Sequence, residues 1–381
     1  MRRFICLFIG VLLVAWGQLS AAESLKTGRA LTISASAAIL VEAASGRVLF
    51  EHNADQEMLI ASTTKIMTAL VAIELGDLAD VVIIPEDAQG IEGSSIYLRA
   101  GEQLLLKDLL YGLMLQSGND AAMAIARHVA GDVEHFVALM NRKAWELGME
   151  NTSFANPHGL NQENHYSTAR DLARLGAAAL KNTTLREIAA TRQHIARPVA
   201  EGGQTRIINN KNRLLSQDPR AIGLKIGYTI RAGRCLVAAA TLDGIQLVAV
   251  VLDAPNWYND CSALFDFGFQ GLTLEELIPG GKVMATVPVV GGKPGRIPIA
   301  LKKPVCFPLW SGESVSFQAE LFIHEPISAP IQPGQVLGKV IITVDHRWQV
   351  EGELVAMEGA NALRPTLWQR LINWVRRWGN D

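Results

Sequence analysis

The sequence predicts an α+β fold: one large domain whose antiparallel sheet is supplied by both ends of its sequence, with helices inserted between. A small all-β domain and a short amphipathic helix are expected to follow. Three observations lead there. Apolar residues run in strand-like stretches near Ala37 and again past Ile222, while the intervening chain carries them at helical spacing. Near Leu274 the composition shifts to prolines and glycines that punctuate short alternating runs. Beyond Arg364, Leu367, Leu371, Trp374, Val375 and Trp378 share one helical face, and Arg370, Arg376 and Arg377 take the other.

Taken in order, Ala38–Val41 and Arg47–Phe50 read as strands joined by a turn at Ser45-Gly46. A polar connection leads to a helix that contains Ser62 and ends near Gly76. Val81–Ile84 is a short strand closed by Pro85. Helical spacing covers Lys107–Gln116, then Ala121–Val129 and Val133–Leu147, the last two closed by Gly131 and Gly148. Asn156-Pro157-His158-Gly159-Leu160 is a loop by composition. Ser167 or Thr168 caps a helix running through Leu180, with Asp171 in its first turn. Leu236–Leu242 and Ile245–Leu252 form a hairpin about Asp243-Gly244 and are expected to be central strands. Ser262–Phe269 reads as one more helix. In the β domain, Val283–Val287, Ser314–Phe317 and Lys339–Val344 read as strands, and His324 and His346 as ordinary surface or packing residues.

Composition narrows the function. The net charge of −2 over 381 residues gives no case for a nucleic-acid partner. No Cys/His cluster has metal-ligand spacing, and no cofactor is expected. Arg2-Arg3, the apolar run Phe4–Trp16 and Ser20-Ala21-Ala22 together read as a secretory signal peptide over residues 1–22. The mature chain is therefore expected outside the cytoplasmic membrane. The tryptophan- and arginine-bearing segment 364–378 would hold it peripherally on the outer face by lying in the membrane surface. Cys235, Cys261 and Cys306 remain after the signal and are expected as free thiols.

Chemistry gathers at three separated stretches. Ser62-Thr63-Thr64-Lys65 puts a hydroxyl and an amine on neighbouring positions of one helical face, where a lysine of depressed pKa can act as base. Ser117-Gly118-Asn119 lies between two helical patterns. Lys225-Ile226-Gly227 is placed at the start of the first strand of the Asp243-Gly244 hairpin. Singly these are weak signals; in this order, in a secreted chain, they resemble the S-x-x-K, S-D-N and K-T-G set of penicillin-binding proteins and class A β-lactamases. The longer runs Ile60–Thr68, Leu115–Ala122, Phe154–Leu160 and Asn210–Leu215 carry the resemblance further. The chain is similar to the serine-type D-alanyl-D-alanine carboxypeptidases of the low-molecular-mass penicillin-binding proteins, of the DacA/DacF kind.

That resemblance implies a penicillin-binding, β-lactamase-like transpeptidase domain over residues 30–272 and a small all-β domain over 273–360, with the helix 364–378 behind them. It implies that Ser62 attacks the carbonyl of the penultimate D-alanine of a peptidoglycan stem peptide, and that Lys65 accepts the serine proton. Ser117 would relay a proton to the leaving amine, Lys225 would steady its electrostatics, and Asn119 would bind the substrate backbone. Gly227 would allow close approach, and the N–H groups of Ser62 and Tyr228 would form the oxyanion hole. β-Lactams would acylate the same serine. One departure stands out: Ile226 occupies the position of the family threonine whose hydroxyl helps bind the substrate's terminal carboxylate. Ile222 likewise replaces an aspartate common in the family, and residues 253–260 lack an arginine found in some members. These leave a second reading, a penicillin- and peptidoglycan-binding homologue of weak turnover.

Overall fold

The structure is a computed structural model and describes residues 17–18, 31–200 and 203–363. The expected helix over 364–378, and the expected signal peptide apart from Gly17 and Gln18, lie outside the described residues. Contacts divide the chain into two compact units, one of Lys26–Leu272 and one of the chain from Thr273 onward together with the stretch before Lys26.

The first unit is built on a five-stranded antiparallel sheet. Its strands are β1 (Ala37–Glu42), β2 (Val48–His52), β3 (Ala221–Thr229), β4 (Gly233–Leu242) and β5 (Ile245–Leu252), in the spatial order β2-β1-β5-β4-β3. Both ends of the unit's sequence thus feed one sheet, and the β4–β5 hairpin turns at Asp243 and Gly244, both at positive φ. β1 and β5 are buried almost throughout, which explains their unbroken apolar runs.

Between β2 and β3 the chain forms α1 (Lys65–Leu75), α2 (Leu106–Leu115), α3 (Asn119–Ala130), α4 (Val133–Glu146), α5 (Ala169–Lys181) and α6 (Thr183–Ala190). α1 is buried from Lys65 to Ala72, so a helix apolar on every side becomes the centre of the unit. α5 packs on the sheet, with Gly176 against Val237 and Val248, and Thr168 caps it by accepting from the Asp171 N–H. A last helix, α7 (Trp257–Phe269), covers the opposite face, where Gly268 meets Leu40 and Leu247.

Two local expectations are corrected. Ser62 does not lie in α1 but in a 3₁₀ turn, Ala61–Thr64, that leads into it; such tight turns are common at helix starts and invisible to an apolar period. Lys225 does not open the hairpin's first strand. It sits in the separate strand β3, joined to β4 by a turn that lacks a strong hairpin dipeptide. Helix α6 and the small hairpin Gln193–Ala196/Arg206–Asn209 were not expected.

The second unit is all-β. Its antiparallel sheet runs in the order Gly17–Gln18, Ser316–Ile323, Val336–Val344, Trp348–Ala356, Arg296–Leu301, Val283–Pro288. The expected strand at Ser314 begins two residues later and runs to Ile323. Phe307, Ile297, Ile299, Val340, Ile342 and Leu354 are buried at its core. His324 and His346 are exposed. Cys235 and Cys261 are buried free thiols; Cys306 is free and half-buried. Among the described residues no helix is long and apolar enough to cross a membrane.

Candidate active site

The 3₁₀ turn presents Ser62, partly exposed, one helical turn ahead of a Lys65 that is wholly buried. Lys65 Nζ lies 3.0 Å from Ser62 Oγ and 2.7 Å from Asn119 Oδ1, and it donates to the His158 carbonyl. A neutral amine can serve this set, its two N–H groups on the two carbonyl-type acceptors and its lone pair towards the hydroxyl proton. Burial holds the Lys65 ammonium well below its ordinary range, and the positive charges of Lys225 and Lys211 push the same way against the opposing Asp120 carboxylate. Among the described residues, no carboxylate pairs directly with Lys65. A buried lysine with neutral partners beside a serine hydroxyl is equipped to take that hydroxyl's proton.

Asn119 opens α3 with both ends of its amide engaged. Oδ1 accepts from Lys65, and Nδ2 donates to the Glu92 carbonyl at 2.5 Å. It therefore anchors the base to the 92–98 loop. Asp120 fastens the same loop by accepting from the Ser95 hydroxyl and the Ile96 and Leu98 N–H groups. Ser117 is buried in the expected turn between α2 and α3, at a φ of +64° that its residue type does not announce.

Strand β3 is the open edge of the sheet and lies against the 3₁₀ turn. A Cβ on Gly227 would stand 2.8 Å from the Ser62 nitrogen, so only glycine lets the strand approach this closely. Lys225 is buried, its Nζ bonded at 3.0 Å to the Ile226 carbonyl. Burial and then the charge of Lys211 lower its pKa to about 7. Strand alternation sets Ile226 and Tyr228 apart from Lys225 and Gly227, and Ile230 follows in the turn. Ile226 is half-buried, Tyr228 is 61% exposed and Ile230 91%. At Ile226 this rim is aliphatic where the family pattern carries a threonine hydroxyl.

The loop Asn156–Leu160 closes the other side. Thr68 Oγ1 donates to the Pro157 carbonyl at 2.6 Å, and Asn156 Oδ1 accepts from the Gly159 N–H at 2.7 Å. Burial, with the neighbouring Lys65 charge, lowers His158 to about 3 and His165 to about 4. The sequence assigns no task to Thr64, His158, His165 or Lys211. His158 lies in a run read only as a loop by composition, and nothing local points to His165.

This architecture, a helix-filled sheet unit with the serine–lysine pair at its centre followed by an all-β unit, is that of the low-molecular-mass penicillin-binding proteins. A family model described as D-alanyl-D-alanine carboxypeptidase matches residues 23–256, and one described as the C-terminal domain of penicillin-binding protein 5 matches residues 273–360. The chain belongs to the D-alanyl-D-alanine carboxypeptidase family. It is 34% identical over 369 residues to D-alanyl-D-alanine carboxypeptidase DacF of Bacillus subtilis, covering 94% of each chain. It is 33% identical over 354 residues to DacC of Escherichia coli, covering 87% of this chain and 86% of that one. Among solved structures, penicillin-binding protein 5 of Haemophilus influenzae aligns with a TM-score of 0.64 at 29% identity, over 87% of this chain and 98% of that one. A variant of the Streptomyces K15 DD-transpeptidase aligns with a TM-score of 0.60 at 34% identity, over 63% of this chain and 99% of that one.

Proposed function

We propose that this D-alanyl-D-alanine carboxypeptidase removes the terminal D-alanine of peptidoglycan stem peptides through an acyl-enzyme on Ser62. The carrying observation is the matched environment of Lys65, whose Nζ stands 3.0 Å from the serine oxygen with two neutral acceptors behind it. Ser62 Oγ attacks the carbonyl of the penultimate D-alanine while its proton passes to Lys65. The negative charge on the carbonyl oxygen is met by the N–H groups of Ser62 and Tyr228. Oriented donors of this kind are worth on the order of 10²–10³ in rate each. The C–N bond then breaks, Ser117 passes a proton to the departing amine under the influence of Lys225, and water hydrolyses the ester. A β-lactam presents the same kind of amide and acylates the same oxygen.

Ile226 supports a second reading, in which the chain binds wall peptides and penicillins but turns them over weakly. The two separate in one experiment: labelling by a fluorescent penicillin, alongside D-alanine release from a pentapeptide, for wild type and Ser62→Ala. The first reading expects labelling and release in wild type and neither in Ser62→Ala. Labelling without release selects the second, and labelling of Ser62→Ala overturns both.

The working location we propose is the outer face of the cytoplasmic membrane. Its support is the sequence pattern of residues 1–22 and 364–378.

A further inference from the structure

The peptide group joining Ala61 to Ser62 is gripped from both ends. Its carbonyl faces Gly159, where an added Cβ would fall 2.0 Å from the Ala61 oxygen. Its amide faces Gly227, where an added Cβ would fall 2.8 Å from the Ser62 nitrogen. Ala61 itself sits at φ +47°, a left-handed conformation that an L-residue holds only when its surroundings impose it.

Behind the carbonyl runs a buried chain of hydrogen bonds. Thr64 Oγ1 donates its single proton to the Ala61 oxygen at 2.8 Å. The contact of 2.8 Å between Thr64 Oγ1 and His165 Nε2 must therefore be donated by the histidine. His165 Nδ1 is then the acceptor, and it does accept, from the Ala155 N–H at 3.0 Å. The edge of the Phe154–His165 ring pair, with centroids 5.9 Å apart, fixes the imidazole plane. Thr64 and His165 are both buried, so the tautomer is set by protein groups at both nitrogens.

A peptide whose carbonyl accepts a strong hydrogen bond is a better donor at its N–H, because bonds in a chain polarise one another. We propose that Thr64 and His165 are positioning residues that orient and polarise the Ser62 N–H as an oxyanion donor. The inference rests on the acyl-enzyme reading above, and neither side chain touches substrate. The order of the chain is Ala155 N–H to His165, His165 to Thr64, Thr64 to the Ala61 carbonyl, and from there through the peptide to the Ser62 N–H.

The test compares Thr64→Val, which keeps the shape and removes the proton, with Thr64→Ser, which returns it. His165→Leu and His165→Gln repeat the comparison one link back, the glutamine amide retaining a donor. Three quantities are read: the acylation rate with a fluorescent penicillin, the infrared stretch of the isotope-labelled acyl-enzyme carbonyl, and the melting temperature. Thr64→Val is expected to slow acylation about tenfold, less than the 10²–10³ lost when an oxyanion donor is removed outright. It is also expected to move the carbonyl stretch to higher frequency, with Thr64→Ser restoring both. A rate within twofold of wild type, or a slowed rate with an unmoved carbonyl stretch, overturns the proposal. If Thr64→Val does not fold, the histidine pair decides by the same two readouts. A wild-type chain that takes no penicillin at all would instead refute the acyl-enzyme reading.

Discussion

The two units of this chain bury different kinds of side chain. Among the described residues, every buried polar or charged side chain lies between Glu42 and Asp260, and the core of the all-β unit contains none. Burying a polar group is unfavourable unless it is hydrogen-bonded, and the first unit supplies such partners: Lys65 has three and Asp120 holds a whole loop. The second unit avoids the difficulty, relying on apolar packing such as Phe307 near Trp348, with ring centroids 5.8 Å apart. The described chemistry is concentrated where polar burial is tolerated, while the all-β unit keeps its polar side chains and ion pairs, such as Lys302–Glu353, at the surface around an apolar core.

Four variants would break or sharpen that contrast. Phe307→Ala should cost the all-β unit about 3–5 kcal/mol, the usual effect of emptying a buried aromatic site. Urea unfolding would report the loss while penicillin acylation stays unchanged; a matching fall in acylation would break the contrast. Gly159→Ala should reverse the pattern, because its Cβ would overlap the Ala61 oxygen at a φ of +87°. Displacing the Ser62 peptide should lower the acylation rate by about 10²–10³, the range for a lost oxyanion donor.

Ile226→Thr tests recognition within the first unit. A hydrogen bond to a charged group contributes roughly 1.5–3 kcal/mol, so D-alanine release should rise about tenfold to a hundredfold. No gain would mean that the apolar rim binds the substrate terminus in some other way. Lys211→Gln should have the smallest effect. The Lys211 charge disfavours protonation of Lys65, so its removal lets Lys65 keep a proton to higher pH. The acid limb of the acylation pH profile should then move upward, and a downward move would show that Lys65 is not the titrating base.

How much of this was legible before the structure depended on how local each determinant was. The turn at Asp243-Gly244, the Thr168 cap and the period of α5 are encoded within a few residues, and each reappears in place. Ser62, Lys65, Ser117, Asn119 and Lys225 stood out because their chemistry is unusual in that order, although the lysine was assigned to the wrong strand. The Thr64–His165 contact spans 101 positions and joins two unremarkable residue types, so no periodicity or motif announces it. The positive φ of Ala61 and Ser117 was equally hidden, since neither residue type favours that conformation.

Strand β3 ends the sheet, and its edge is only partly covered by the turn that carries Ser62. Proteins usually protect such edges with charge, proline or a covering element, because an open edge invites another chain to add to it. Here the edge continues into Tyr228 and Ile230, both exposed and with large apolar surfaces. By its geometry this open edge beside Ser62 is a surface to which another chain can add. A tightly bound β-lactam should therefore act on the purified protein as a solubilising agent as well as an inhibitor.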